Sequence, residues 1–311
     1  MDFSRLKRAS LFDRKSLVQA QSLSFPPESP VSFAAFWNSL PDSLKARDLR
    51  RLIEAIREGR KRKKPVVFMM GAHSIKVGLS PWIIRALRRG FITAVAMNGA
   101  GVVHDFELAL AGTTSEDVAE ALQDGSFGMT RETGETLNTW IREAAASDRG
   151  LGNYVGERIS RSSFPHKDWS ILSAAYEVQA PLTVHLAIGT DVIHPHPEAS
   201  GEALGKTSLA DFHTLCEVVS GMGDGGVVLN VGSNVILPEV FLKALTTARN
   251  LCGRIQQFTT ANFDMIQHYR PNQNVVQRPI LGGGTGFTFT GHHEIMLPLL
   301  FTALFETNEN A

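Results

Sequence analysis

The stretch from Val66 to Asp105 limits the fold more than any other part of the chain. An apolar run, Val66 to Met70, stops at Gly71-Ala72-His73-Ser74, and an amphipathic segment follows from Pro81 to Arg89. A second apolar run, Phe91 to Met97, then stops at Asn98-Gly99-Ala100-Gly101. Two buried strands joined by a helix make a βαβ unit. In such a unit the carboxyl ends of the strands face a crevice in which ligands bind. Small residues there let a ligand approach the backbone, and the next helix offers unpaired N–H groups to an anion.

The alternation resumes further along. Residues 182–186, 226–229 and 254–258 read as strands, with helices between them marked by apolar residues at helical spacing. Residues 43–58 carry Leu49, Leu52, Ile53 and Ile56 on one helical face, and residues 294–305 close the chain as an apolar helix. Residues 264–293 read as a loop containing Gly282-Gly283-Gly284. The expected fold is α/β, a doubly wound, mostly parallel sheet with Rossmann-like nucleotide-binding topology. Prolines 26, 27 and 30 break any long element early on, so residues 1–42 read as an N-terminal arm and residues 43–311 as a single domain. Gly201 to Thr207 imitates a phosphate-binding loop, but it is a residue short and no strand precedes it. It is expected to be a helix start.

Lys plus Arg and Asp plus Glu both number 31, so no net charge points to nucleic acid or a membrane. Cys216 and Cys252 lack any CxxC spacing and read as buried thiols of a reducing compartment. With no apolar leader and no run long enough to span a bilayer, the expected location is cytoplasmic.

Small and polar residues recur after each expected strand: Gly71 to Ser74, Asn98 to Gly101, Gly189 to Asp191, Asn230 to Asn234, Thr259 to Asn262 and Gly291 to His293. In a parallel sheet these turns share one rim. No GxGxxG fingerprint follows any of the expected strands. His194 and His196, two residues apart on a segment read as extended, point the same way and with His292 supply ligands for a divalent metal such as zinc. His166, His185, His213 and His268 read as structural or surface residues, as does His73 taken alone.

In their order these turns resemble the deoxyhypusine synthase family. Gly71-Ala72-His73-Ser74 with Gly78 holds the place of its Thr-Ser-Asn loop, and residues 98–105 line up with its Thr-Ala-Gly-Gly run and following acids. Thr190-Asp191 matches a Thr-Asp pair, Asn230-Val231-Gly232 a triple-glycine turn, Thr259-Thr260-Ala261 an Asn-Thr-Ala turn, and Pro298-Leu299-Leu300 the final helix. The resemblance implies NAD against Gly71, His73, Ser74, Asn98, Gly99, Ala100, Gly232, Thr259, Thr260, His292 and His293, with Asp191 on a ribose hydroxyl. It also implies a homo-oligomer, a tetramer with sites between subunits.

The family passes a butylamine group through an imine on a lysine, yet this chain has no lysine after Lys243. Val103, His104 and His196 stand where the family has carboxylates for a cationic amine. The resemblance therefore implies an NAD-binding transferase or oxidoreductase with an altered small-molecule substrate. Its catalytic candidates are His104 or His196 as general base, with Asp105 beside them. A metal-dependent enzyme and a non-catalytic binding module are the alternatives.

Overall fold

A computed structural model describes residues 7, 24–29 and 31–306 of the chain. Much of the expected arm, residues 1–42, lies outside the described residues. The chain divides into two compact units, one reaching to Arg50 and one starting at Arg51. In the first, α1 (Phe33–Ser39) is capped by Ser32, whose side chain accepts from Ala35 N. The Arg50 guanidinium donates to the carbonyls of Trp37, Leu40 and Pro41, the groups a helix end leaves unpaired. The boundary between the units falls within α2 (Leu44–Lys61).

The second unit is built on a six-stranded sheet in the order β3-β2-β1-β4-β5-β6. The strands are β1 (Val66–Met70), β2 (Ala94–Asn98), β3 (Leu182–His185), β4 (Val227–Val231), β5 (Phe258–Asp264) and β6 (Gly284–Thr290), and every pairing is parallel. This is the strand order of dinucleotide-binding folds, and the chain reverses direction across the sheet between β1 and β4. Every residue of β1 and β4 is buried, as strands covered on both faces must be.

Alternate residues of β1 serve opposite layers. Val67 and Met69 pack with Leu215 and Val219 of α10 (Gly201–Ser220) and with Phe241 and Leu245 of α11 (Ile236–Cys252). Phe68 instead meets Phe301 of α13 (His293–Phe305), ring centroids 6.2 Å apart. Each such buried side chain contributes roughly 1.5–3 kcal/mol relative to exposure. The doubly wound α/β expectation therefore holds.

The other α-helices described are α3 (His73–Lys76), α4 (Ser80–Arg88), α5 (Gly99–Ala111), α6 (Val118–Asp124), α7 (Arg131–Ala146), α8 (Leu151–Ser160), α9 (Ile171–Glu177) and a short turn, α12 (Tyr269–Pro271). As expected, Gly201 opens a helix, α10, behind its cap Ser200.

Several expectations need correction. The fifth strand begins only at Phe258, so Thr259 and Thr260 pair with Val227 and Val228 inside the sheet and do not form a turn at its end. Their β-branched side chains suit a strand better than a turn. The stretch 264–293 is not a loop: it contains β6, paired along its length with β5. The glycines there reflect close packing, since a Cβ on Gly286 would fall 2.1 Å from the Val276 carbonyl oxygen. Cys216 is buried as expected, but Cys252 is exposed. No described helix is long and apolar enough to cross a membrane.

Candidate functional site

Where β1 and β4 diverge, their carboxyl ends make one polar floor. Gly71 N donates to the Val231 carbonyl at 3.0 Å, and Gly232 N to the Phe263 carbonyl at 3.2 Å. Gly232 takes φ +64°, and a Cβ there would fall 2.6 Å from Cε1 of His293. His293 is itself buried, with Nε2 3.0 Å from the Phe263 carbonyl. A carbonyl only accepts, so Nε2 carries the proton, and Nδ1 is left as a buried acceptor without a partner among the described residues. The His73 ring lies 5.3 Å from that of His293, and burial, with His293 adding to it, lowers the pKa of His73.

Ser74 Oγ, Asn234 Oδ1 and Asp264 Oδ2 are also buried and unpaired among the described residues. Each belongs to a strand end or the turn after it. Unmet buried polar atoms are costly, and gathered along one rim they mark a place where a ligand's polar groups belong. Beneath them, Asn230 donates to Asn262 at 2.7 Å and Asn262 to Gln267 at 2.7 Å, tying β4 to β5.

The second part of the rim lies over β2 and β3. Asn98 caps α5, its side chain accepting from Gly101 N at 3.0 Å. The Asp191 carboxylate reaches across from the turn after β3 and lies over the Gly99 backbone at the same helix start. Asp191 is buried, which raises its pKa, while His194 acts in the opposite sense. Among the described residues its Oδ2 has no hydrogen-bond partner, and His194 Nε2 is 3.7 Å away.

Beside α5 opens a cavity of about 780 Å³ lined by His104, Lys76, Glu107, Thr114, Thr133 and Asp191 among others. Val103, Leu110 and Phe127 give it apolar walls, the usual mixture for a small-molecule site. His104 Nδ1 lies 2.6 Å from Thr114 Oγ1, which donates to Glu107 Oε2 at 2.6 Å. Thr133 donates to the other oxygen, Oε1, at 2.9 Å. Burial lowers the pKa of His104; Glu107 opposes this and Lys76 adds to it. Another hollow, of about 650 Å³, opens near Arg149, Pro181 and Asp211 at the amino end of β3, away from this rim.

The rim thus holds Gly71, His73, Ser74, Asn98, Gly99, Ala100, Asp191, Gly232 and His293, with His104 in the adjoining cavity. Other expected site residues lie elsewhere. Asp105 is fully buried, and its carboxylate accepts from Ser170 Oγ, Ile171 N and Leu172 N. It caps α9 from a distance and does not line the cavity. Burial raises its pKa to about 6. The His196 ring packs on Gly134, with Nε2 2.9 Å from the Gly128 carbonyl.

The metal expectation fails on geometry. Residues 191–198 form successive turns and not an extended segment, so His194 and His196 face different neighbours. His194 Nδ1 accepts from Gly189 N at 3.0 Å, and the exposed His292 lies 3.7 Å from Glu294. Among the described residues no group of three or more His, Cys, Asp or Glu is placed to hold a metal.

Lys76, Glu107, Thr114 and Thr133 were not expected at the site. Glu107 was open to sequence reasoning, since it follows His104 by three positions on a helix and so shares its face. Thr114 and Thr133 come from separate segments that only the tertiary fold brings together.

The chain matches no protein-family model and no curated protein in sequence. Its fold is similar to that of ArgZ, an arginine dihydrolase of the ornithine–ammonia cycle in cyanobacteria, at 15% identity and TM-score 0.51, over 88% of this chain and 34% of that one. AgrE, solved as a ternary complex with ornithine and NAD+, aligns at 14% identity and TM-score 0.52, over 86% of this chain and 34% of that one. A conserved protein of LOR/SDH type from Methanococcus maripaludis aligns at 17% identity and TM-score 0.53, over 90% of this chain and 73% of that one. This chain therefore spans about a third of the length of ArgZ and AgrE. A deoxyhypusine synthase-like protein from Entamoeba histolytica aligns at 10% identity and TM-score 0.47, too low to carry an argument about family. What these likenesses establish is the fold: a six-stranded parallel α/β sheet of Rossmann-like type.

Proposed function

We propose that the chain is an NAD-binding enzyme whose small-molecule substrate occupies the cavity beside α5. One observation carries this reading. The strand order sets the β1/β4 reversal one strand from the turns after β2 and β3 that line the cavity, and unpaired buried polar atoms lie at the reversal. The residues fit a dinucleotide there. Gly71 to Ser74 and Gly232 to Asn234 would lie along it, and His293 Nδ1 and Asp191 Oδ2 would accept hydrogen bonds from its amide or hydroxyl groups. That AgrE is solved with NAD+ adds support from a similar fold.

When bound, NAD supplies a hydride acceptor or donor. The chain's own part is proton handling and placement. His104, neutral because burial lowers its pKa, takes a proton from a substrate hydroxyl or amine, or returns it. Lys76, exposed at the cavity edge, receives an anionic substituent. The apolar wall of Val103, Leu110 and Phe127 keeps water from the reacting atoms.

The test is a thermal shift series with NAD, NADP and AMP. NAD is expected to raise the midpoint in a saturable way. No shift with any of the three at millimolar concentration overturns the reading.

A further inference from the structure

The chain places a threonine hydroxyl between an imidazole and a carboxylate. A hydroxyl has one proton to give and lone pairs to accept with. An ionised carboxylate only accepts, so the Thr114 proton goes to Glu107 Oε2, 2.6 Å away. Toward His104 Nδ1, also 2.6 Å away, Thr114 then offers only a lone pair. Nδ1 must carry the proton. The Thr133 hydroxyl, from α7, holds the other carboxylate oxygen at 2.9 Å and stops the group from turning. Among the described residues Nε2 has no hydrogen-bond partner, and it is not one of the sealed, unpaired atoms.

We infer that Glu107, acting through the Thr114 hydroxyl, holds His104 as the Nδ1–H tautomer and so leaves Nε2 as the basic nitrogen of the cavity. Glu107 and Thr114 are positioning residues in this arrangement. The inference rests on reading His104 as the general base, but its geometry needs neither cofactor nor substrate.

The arrangement differs from a direct imidazole–carboxylate pair. A carboxylate touching Nδ1 both orients the ring and stabilises its charged form. Here the hydroxyl keeps the orienting effect and sets the carboxylate back, to 4.0 Å from Nδ1. The other charged groups around the same cavity are Lys76, Glu116, Glu132 and Asp191.

Glu107→Gln makes a sharp prediction. Thr133 continues to donate to the carbonyl oxygen, so the amide nitrogen faces Thr114. Thr114 then accepts from the amide and turns its own proton toward Nδ1. The ring stays where it is, but its proton moves to Nε2, and the cavity loses its base.

The test is long-range proton–nitrogen NMR of the 15N-labelled full chain without ligand. His104 is assigned by the resonances lost in His104→Gln. In the wild type and in Thr114→Ser, Nδ1 is expected to be pyrrole-type and Nε2 pyridine-type. In Glu107→Gln the two types are expected to exchange. Thr114→Val is expected to lose the bias toward Nδ1–H, which keeps a second check if Glu107→Gln does not fold. A pyrrole-type Nε2 in the wild type, or an unchanged tautomer in folded Glu107→Gln, overturns the inference. Neither result depends on NAD binding, so this inference and the proposed function fail separately.

Discussion

The Asp191 carboxylate lies over the backbone of Gly99 so closely that a Cβ on Gly99 would fall 2.1 Å from Oδ2. The turn after β3 thereby brings an acid to the end of β2. Dinucleotide-binding folds commonly hold a ribose hydroxyl with an acid at this point. The last residue of β2, Asn98, is engaged in capping α5 and does not fill that place. Gly99 is therefore required by a neighbouring side chain.

Gly99→Ala is expected to push Asp191 off the start of α5. Overpacking of this kind costs about 1–3 kcal/mol. Urea unfolding should show the loss, and NAD should produce a smaller thermal shift than in the wild type. An alanine variant of unchanged stability would show that the contact relaxes freely.

Asp105 is expected to matter for folding and not for the cavity. Its carboxylate satisfies the first N–H groups of α9, with Ile171 N at 2.7 Å. Asp105→Ala leaves those donors buried and unpaired and should cost about 2–4 kcal/mol. Below its lowered melting midpoint the variant should keep its ligand affinity. A large loss of affinity in fully folded protein would return Asp105 to the site.

Asp211 makes stability depend on pH. Its carboxylate accepts from Gly152 N at 2.9 Å and Val184 N at 2.8 Å, and burial raises its pKa to about 7. Between about 4 and about 7 the folded chain therefore holds a proton that the unfolded chain releases. Stability from this group is full below that window and falls as pH rises through it. The difference in unfolding free energy between wild type and Asp211→Asn should fall by about 4 kcal/mol across the window and stay level above it. A difference that is flat with pH contradicts the assignment.

The charges around His104 act in opposite directions. Lys76 lowers its pKa and Glu107 raises it. Lys76→Gln should therefore move the NMR titration of His104 to higher pH, and the wild-type chain should keep His104 neutral at pH values where an ordinary histidine is half charged. Lys76 is exposed, so the substitution should leave the melting midpoint nearly unchanged. A shift in the other direction would place Lys76 away from the ring.

The alternation of apolar runs and small-residue turns made the sheet, its parallel sense and its polar rim legible before any coordinates. Val66–Met70 has the bounds expected of it, because a strand buried on both faces is written as a continuous apolar run. β5 and β6 were less legible. Asn262 looks like a turn residue, yet its side chain is satisfied inside the sheet by Asn230 and Gln267. The glycines of β6 look like a loop, yet Gly284 admits the Phe258 backbone and Gly286 that of Val276. The histidines near residue 194 looked like metal ligands because their spacing was read on an extended chain. In successive turns that spacing no longer aims them together. The Thr114 and Thr133 contacts depend on segments meeting in three dimensions, which periodicity does not encode.

The most direct measurement is an isothermal titration of NAD into the purified chain, followed by amide NMR of the same sample. The account predicts a saturable heat and perturbed amides at Gly71 to Ser74 and Gly232 to Asn234. Absence of heat at millimolar NAD, or perturbations confined to the hollow around Arg149 and Asp211, would contradict it.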